Sequence, residues 1–391
     1  KTLPSLPTLT LSLWMKPAVL GEGRYQSIFD TWDESSWPQA VCASGSPIAG
    51  GASQGVLQEG EMELATSYQY LYSDKFKTED SDTVKLFDHL TTNYLYGKIA
   101  YGVTKNLTVS VEAGYFLNKT QTGLFDPVLN KHEVVQSSGI ADLIIFPRYD
   151  ILNRTTEKKR VELTLGLGYK IPLGKYNDST LVYTDPNSGQ EYFTTSPPLV
   201  QPTNGSQDII GYLFFYRGFP QHNFRLFANA LYIRKGWNPL GEKFGDYSSV
   251  GLFAGKTFFK KLGVTLQVKG EHIGKLKAAE NVDLLAFYNV DTASTGSKKI
   301  SFVPQISFTY KSFTIFGLYE LPLYEYVNGV QVASQHQLTF GISYRFFVKD
   351  SVCEIPPDAA TYYSCSMNCI GGGSTEPGKC KICGMEMQKI K

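Results

Sequence analysis

No cysteine lies between residues 43 and 352, the span where a chain of 391 residues must build most of its fold. That gap excludes a disulfide-stapled core. Long hydrophobic runs are missing too: no window of about 18 apolar residues occurs, so a transmembrane helix is not expected. Charge of one sign is not in excess, with 37 Lys and Arg against 36 Asp and Glu and a net charge of +1. Without a basic patch or a long charged tail, a nucleic-acid partner is excluded. Histidine is scarce, and His89, His132, His222, His272 and His336 are scattered. No Ser-His-Asp grouping can be built from spacing, and no phosphate-binding glycine loop precedes a helix. The "LGLG" at 165–168 falls inside a strand pattern. The chain is therefore expected not to be an enzyme.

What is abundant is aromatic. Tyr and Phe number 25 and 24, and together with Trp they make up 14% of the chain. From about residue 60 to 347 apolar and polar residues alternate with a period of two. In "LTVSVEAGYF", Leu107, Val109, Val111, Ala113 and Tyr115 share one face, and Thr108, Ser110, Glu112 and Gly114 the other. "RVELTLGLGYKI" (160–171) sets Val161, Leu163, Leu165, Leu167 and Tyr169 against Glu162, Thr164 and Lys170. This spacing is the strand signature. About twelve such segments can be marked, near 61–73, 90–102, 106–117, 140–151, 159–172, 207–217, 222–234, 247–258, 262–273, 300–310, 312–323 and 335–347.

The connections alternate. "VTKN", "NRTTEKK", "GFPQ", "FKKL" and "YKS" are short, and long polar loops are expected near 74–89, 118–139, 173–206, 235–246, 274–299 and 324–334. Tight periplasmic turns and longer extracellular loops are the pattern of a bacterial outer-membrane barrel. The fold class expected is all-β: a transmembrane antiparallel up-and-down β-barrel of about twelve strands, with a small Cys-rich tail. The apolar row would face lipid, with Tyr and Phe toward strand ends at the membrane boundary. Lys98, Glu112, Asp142, Arg148, Glu162, Lys170, Arg225, Lys269, Glu271 and Arg345 fall on the opposite row. Arg or Lys facing hydrocarbon at mid-depth would cost roughly 2–4 kcal/mol, so these residues belong in the lumen, where both signs can pair. A soluble β-sandwich also alternates, but it does not require short and long loops to take turns.

"GVLQEGEMELATSYQYLYSD" (55–74), "YGVTKNLTVSVEAGYF" (101–116) and "SSGIADLIIFPRYDIL" (137–152) resemble the outer-membrane transporters assigned to the phenol meta-degradation pathway. That resemblance implies transport of small hydrophobic compounds and fixes no ligand.

Residues 1–55 form a lead segment, read either as a signal-peptide remnant or as a flexible Gly/Ala/Ser-rich region. The barrel is expected over 56–347, a Pro-containing linker over 348–361 and a separate module over 362–391. The module carries "YSCSMNCIGGGSTEPGKCKICGMEM" (363–387), with Cys365-x3-Cys369, ten intervening residues, and Cys380-x2-Cys383. Two close pairs either side of a Gly-rich turn can converge on one ion, and four thiolates suit tetrahedral zinc. Met367, Met385 and Met387 add thioethers, and soft sulfur favours Cu(I). The candidate metal ligands are thus Cys365, Met367, Cys369, Cys380, Cys383, Met385 and Met387, and the candidate cofactors Cu(I) or Zn2+. Disulfides are the alternative, since the periplasm is oxidising and six cysteines are an even number.

Tyr363, Cys365, Met367, the Pro377–Cys380 run, Cys383, Gly384 and Met385 resemble the small heavy-metal-binding domain found on copper and heavy-metal efflux proteins. Ser366, Asn368 and Cys369 depart from its Pro, His and Pro, which removes an imidazole and adds a thiol. The partners implied are outer-membrane lipid, a soft metal ion and periplasmic metal-efflux components.

Overall fold

The computed structural model describes residues 55–126, 131–155, 160–184, 188–196, 198–259, 261–284, 291–310 and 312–348, with 363–365, 374, 376–378 and 387–389 in the tail. The expectations for residues 1–54 and for the linker beyond residue 348 lie outside the described residues. Twelve long strands dominate: β1 (Glu61–Ser73), β2 (His89–Thr104), β3 (Leu107–Asp126), β4 (Lys131–Thr155), β5 (Arg160–Pro172), β6 (Asp208–Phe219), β7 (Phe224–Arg234), β8 (Tyr247–Phe258), β9 (Leu262–Ile273), β10 (Ser297–Tyr310), β11 (Phe313–Val332) and β12 (His336–Phe347). Each pairs antiparallel with its sequence neighbours. β1 also pairs with β12, from Glu61 opposite Phe347 to Tyr72 opposite His336, and that ladder closes the ring. Closure leaves no exposed edge to recruit another chain. It also pairs the backbones of neighbouring strands all round the wall, apart from a few bulges, as strands crossing hydrocarbon require.

The register follows from the alternation. In β5, Leu165, Leu167 and Tyr169 are exposed while Glu162, Thr164 and Lys170 are buried. In β3, Val111 and Tyr115 point out while Thr108, Ser110 and Glu112 point in. A slip by one residue would turn every charge to the outside. Leu167, Leu252, Ile315 and Leu323 belong to a continuous exposed apolar belt. Such a belt is far larger than a soluble monomer shows, and it marks a lipid-facing wall. Among the described residues no helix is long and apolar enough to cross a membrane; the strands make the crossing.

The long connections depart from the simple picture. Where long loops are expected near 118–139 and 324–334, β3, β4 and β11 instead continue outward as strands. Lys119 opposite Ser137 and Phe125 opposite His132 keep pairing there. The extensions lack proline and continue with residues a ladder tolerates. Short hairpins decorate the remaining connections at 76–83 and 179–195, and Glu242–Lys243 pairs with Lys277–Ala278. Phe76, Phe87, Leu90, Val135, Leu199, Val200, Leu276, Leu284 and Val332 gather into one buried apolar cluster. These residues come from strands and connections on opposite sides of the ring, so the cluster spans the long-loop mouth. Gln331 donates to the Ser294 carbonyl at 2.9 Å and Asn328 to that of Thr295 at 2.8 Å, tying two of the connections together.

At the short-turn end, the residues before β1 turn inward. Leu57 is buried and its N–H donates to Thr108 Oγ1 at 2.7 Å. The Gln58 carbonyl lies so close to Gly102 that a Cβ there would sit 1.8 Å from it. Gly60, at φ +76°, makes the turn that returns the chain to the wall. Both β1 and β12 therefore meet the rest of the chain at this end.

Candidate functional site: the lumen and the cysteine-rich tail

Among the described residues, three ion-pair groups of the inward row bridge neighbouring strands. Glu63 on β1 accepts from Lys98 on β2 at 2.6 Å and from Arg345 on β12 at 3.0 Å, all buried. It thus stitches the seam where the first strand meets the last. Lys170 on β5 lies 3.1 Å from Asp142 on β4 and 2.8 Å from Asp208 on β6. Thr203 donates to Asp142 and Lys170 also donates to Asn204, at 2.6 Å, which anchors the β5–β6 connection inside. Lys269 and Lys299 alternate with Glu271 and Glu320 at 2.6–3.0 Å across β9, β10 and β11. Tyr247 and Ser301 donate to the two carboxylates at 2.7 and 3.0 Å. Pairs this close are worth several kcal/mol of attraction at an effective dielectric near 20, roughly 4 kcal/mol at 4 Å. Most of it offsets the cost of leaving water.

The same row has an apolar sector that the sequence reading assigned no role. Tyr94, Tyr96, Ile144, Phe146, Tyr212, Phe214, Phe227 and Phe253 form one buried cluster inside the barrel, on β2, β4, β6, β7 and β8. Phe146 meets Tyr212 edge-on at 5.7 Å, and Phe227 stacks on Phe253 at 4.3 Å. Gly166 and Gly168 face this cluster; a Cβ on either would come within 2.9 Å of the Phe146 ring. The glycines of "LGLG" are thus the space the ring occupies. Parity would have found the aromatic wall: Tyr94 and Tyr96 share a row with Lys98, and Phe146 with Asp142 and Arg148. The lumen is not uniform, and the Lys170–Asp142–Asp208 group shares β4 and β6 with the rings. Aromatic rings line β2, β4, β6, β7 and β8, and the arc from β9 round to β1 carries paired charges outside that cluster.

In the tail, Tyr363–Cys365 pairs antiparallel with Met387–Lys389, and the register sets Cys365 opposite Met387. Ser374 bridges to Tyr363 on the other side, and Met387 N–H donates to the Gly378 carbonyl at 2.9 Å. The backbone therefore gathers the two ends of the sulfur-rich segment and the Pro377-Gly378 turn. Met387 is half-buried. Of the other candidate ligands, Met367, Cys369, Cys380, Cys383 and Met385 lie outside the described residues, as does the side chain of Cys365. Among the described residues no cluster of three His, Cys, Asp or Glu is assembled.

Residues 362–390 match the Heavy metal binding domain family. The match covers the tail and stops short of the barrel. The barrel is similar to the crystal structure of an outer membrane channel from Pseudomonas putida F1, with 11% identity, a TM-score of 0.56, and coverage of 75% of this chain and 97% of that one. That likeness shows the fold. The β domain of the Bordetella autotransporter BrkA matches at 9% identity over 73% of this chain and 99% of its own, with a TM-score of 0.38. The translocator domain of the autotransporter NalP from Neisseria meningitidis matches at 11% identity, over 81% of this chain and 99% of its own, with a TM-score of 0.37. No curated protein sequence matches this chain.

Proposed function

We propose that this chain is a Gram-negative outer-membrane transport barrel that presents a soft-metal-binding module to the periplasm and takes part in handling copper or zinc. One observation carries the proposal. A segment matching the Heavy metal binding domain family is joined to a barrel whose last strand, like its first, ends among the short turns. In bacterial barrels those turns face the periplasm. The donor chemistry fits the ion: Cys365, Cys369, Cys380 and Cys383 supply thiolates, Met367, Met385 and Met387 supply thioethers, and the tail has no histidine. Such a set suits Cu(I), and its four thiolates also suit Zn2+. A bound ion would also cross-link a module too small to fold by burial alone. Periplasmic metal-efflux components are the partners this reading calls for, and no reaction is assigned to the chain.

The test is a metal count on the full chain purified under reducing conditions and loaded with Cu(I) or Zn2+. Near-stoichiometric metal that disappears in a Cys380→Ser/Cys383→Ser variant supports the proposal. No metal taken up by the reduced chain, together with no titratable thiol in a parallel sample purified without reductant, overturns it. That outcome would favour a second reading, in which the barrel passes small hydrophobic or aromatic compounds and the tail is a disulfide or redox module. The resemblance to the phenol-pathway transporters and the ring-lined part of the lumen, from Tyr94 to Phe253, speak for this alternative.

A further inference from the structure

The short-turn rim is unlike the rest of the surface in charge. Lys105, Arg154, Arg217, Lys256 and Lys261 are exposed there, and Glu59 is the one exposed carboxylate among the rim's described residues. None of these five cations forms an ion pair among the described residues. The long-loop end is built differently. There Lys85 meets Asp74 and Asp88, Lys175 meets Asp178, and Lys243 meets Asp246. Exposed Glu79, Asp80, Asp82 and Glu280 offset cations such as Lys75, Lys277 and Lys298 that form no ion pair among the described residues. The whole chain carries a net charge of only +1, so the excess at the rim is a matter of placement.

Rings accompany the cations. Arg217 lies 5.3 Å from the centre of Phe219, Lys256 5.6 Å from Phe258, and Lys261 5.5 Å from Tyr310. Phe258, Phe308, Tyr310 and Phe313 are exposed at the ends of β8, β10 and β11, where the lipid-facing belt stops. Phe259 is 89% exposed in a turn with φ +51°, a conformation bulky residues rarely adopt, and its ring is held off the barrel. Aromatic rings at this level sit among lipid headgroups. A cation at the same depth is at the level of the phosphates. A soluble acidic protein would match the charge but would give no role to the rings.

We propose that this rim binds the phosphate headgroups of anionic phospholipid in the leaflet that meets the short turns; the proposal rests on the barrel spanning a bilayer. Arg154, Arg217 and Lys256 are outward-facing residues of β4, β6 and β8, and Lys105 and Lys261 occupy turns. Together they spread the cations over one side of the ring.

The full chain, reconstituted in nanodiscs of phosphatidylethanolamine with a minor share of phosphatidylglycerol, is re-extracted in mild detergent, and its retained lipid is measured by mass spectrometry. Phosphatidylglycerol should be enriched roughly fivefold or more over the bulk ratio, about what one cation near an anionic surface provides. The enrichment should fall to the bulk ratio in the variant carrying Gln at Lys105, Arg154, Arg217, Lys256 and Lys261, and in about 1 M salt, where the screening length is about 3 Å. A control variant with Gln at Lys75, Lys85, Lys175, Lys277 and Lys298, on the long-loop end, should keep it. Heat-modifiable migration checks that each variant is folded. No enrichment in the parent, or equal loss in both variants, overturns the proposal. A chain that does not enter nanodiscs at all overturns the barrel reading beneath it.

Discussion

Between residues 61 and 347 the chain has no cysteine but Cys-free strands in abundance, while between 362 and 391 it has four cysteines and three methionines. The first region holds itself by a closed ladder and a one-sided apolar wall. Its buried charges are turned inward, where ion pairs bridge neighbouring strands. The second is too short for that solution, and only a small ladder, Tyr363–Cys365 against Met387–Lys389, is described in it. The difference teaches where stability must come from. A ring of strands in lipid needs no cross-link, whereas a module of this size needs a metal or a disulfide.

The comparison is sharpened most by attacking the barrel where it closes. Glu63→Ala removes the carboxylate that both Lys98 and Arg345 pair with, and leaves only the neighbouring Glu61 near Arg345 on β1. Removing one partner of a buried group costs about 3–5 kcal/mol. Urea titration of the refolded barrel should show that loss, and metal bound by the tail should be unaffected. If the variant is as stable as the parent, the seam does not depend on Glu63.

A smaller effect is expected on the outer wall. Leu167, 64% exposed on β5, is changed to Lys, and the cost should be about 2–4 kcal/mol in lipid, as for a cation near mid-depth. In a soluble fold the same exposed position would tolerate Lys within about 0.5 kcal/mol. The two values separate a lipid-facing wall from a water-facing one.

The smallest effect concerns the long-loop end. Burial holds the Glu242 carboxyl above its ordinary value, despite a hydrogen bond from Asn238 at 2.8 Å. A carboxylic acid with a raised folded pKa favours folding below its unfolded pKa, and that contribution fades as pH rises through the folded value. The 235–246 connection should therefore exchange amide hydrogens faster, after correction for intrinsic rates, as pH rises beyond the ordinary carboxylate range. Glu242→Gln should remove that dependence. An unchanged pH profile in the variant would show that another group is responsible.

Much of the barrel was legible because alternation reports directly which residues share a face. The twelve expected segments match β1 to β12, and Glu162, Lys170 and Lys269 lie inside as their parity requires. Glu63, Asp208, Lys299 and Glu320 were not singled out, although parity marks them equally well. Alternation does not say which inward residues meet. The convergence of Phe76, Leu199, Leu276 and Val332 over the mouth is a property of the closed ring. No local stretch contains it. The inward Phe146 and Phe227 were obscured because rings were expected at the lipid boundary. In the tail, the spacing of Cys365, Cys369, Cys380 and Cys383 named a donor set, and the described backbone adds the Cys365–Met387 register.

Hydrogen exchange on the full chain, with and without a copper and zinc chelator under reducing conditions, tests the division between the two regions most directly. On the proposed reading protection within 362–391 should collapse when metal is withdrawn, because a bound ion would then be what closes the module. Protection across β1 to β12 should stay as it was. Tail protection that persists in chelator, or barrel strands that lose theirs with it, would contradict the account.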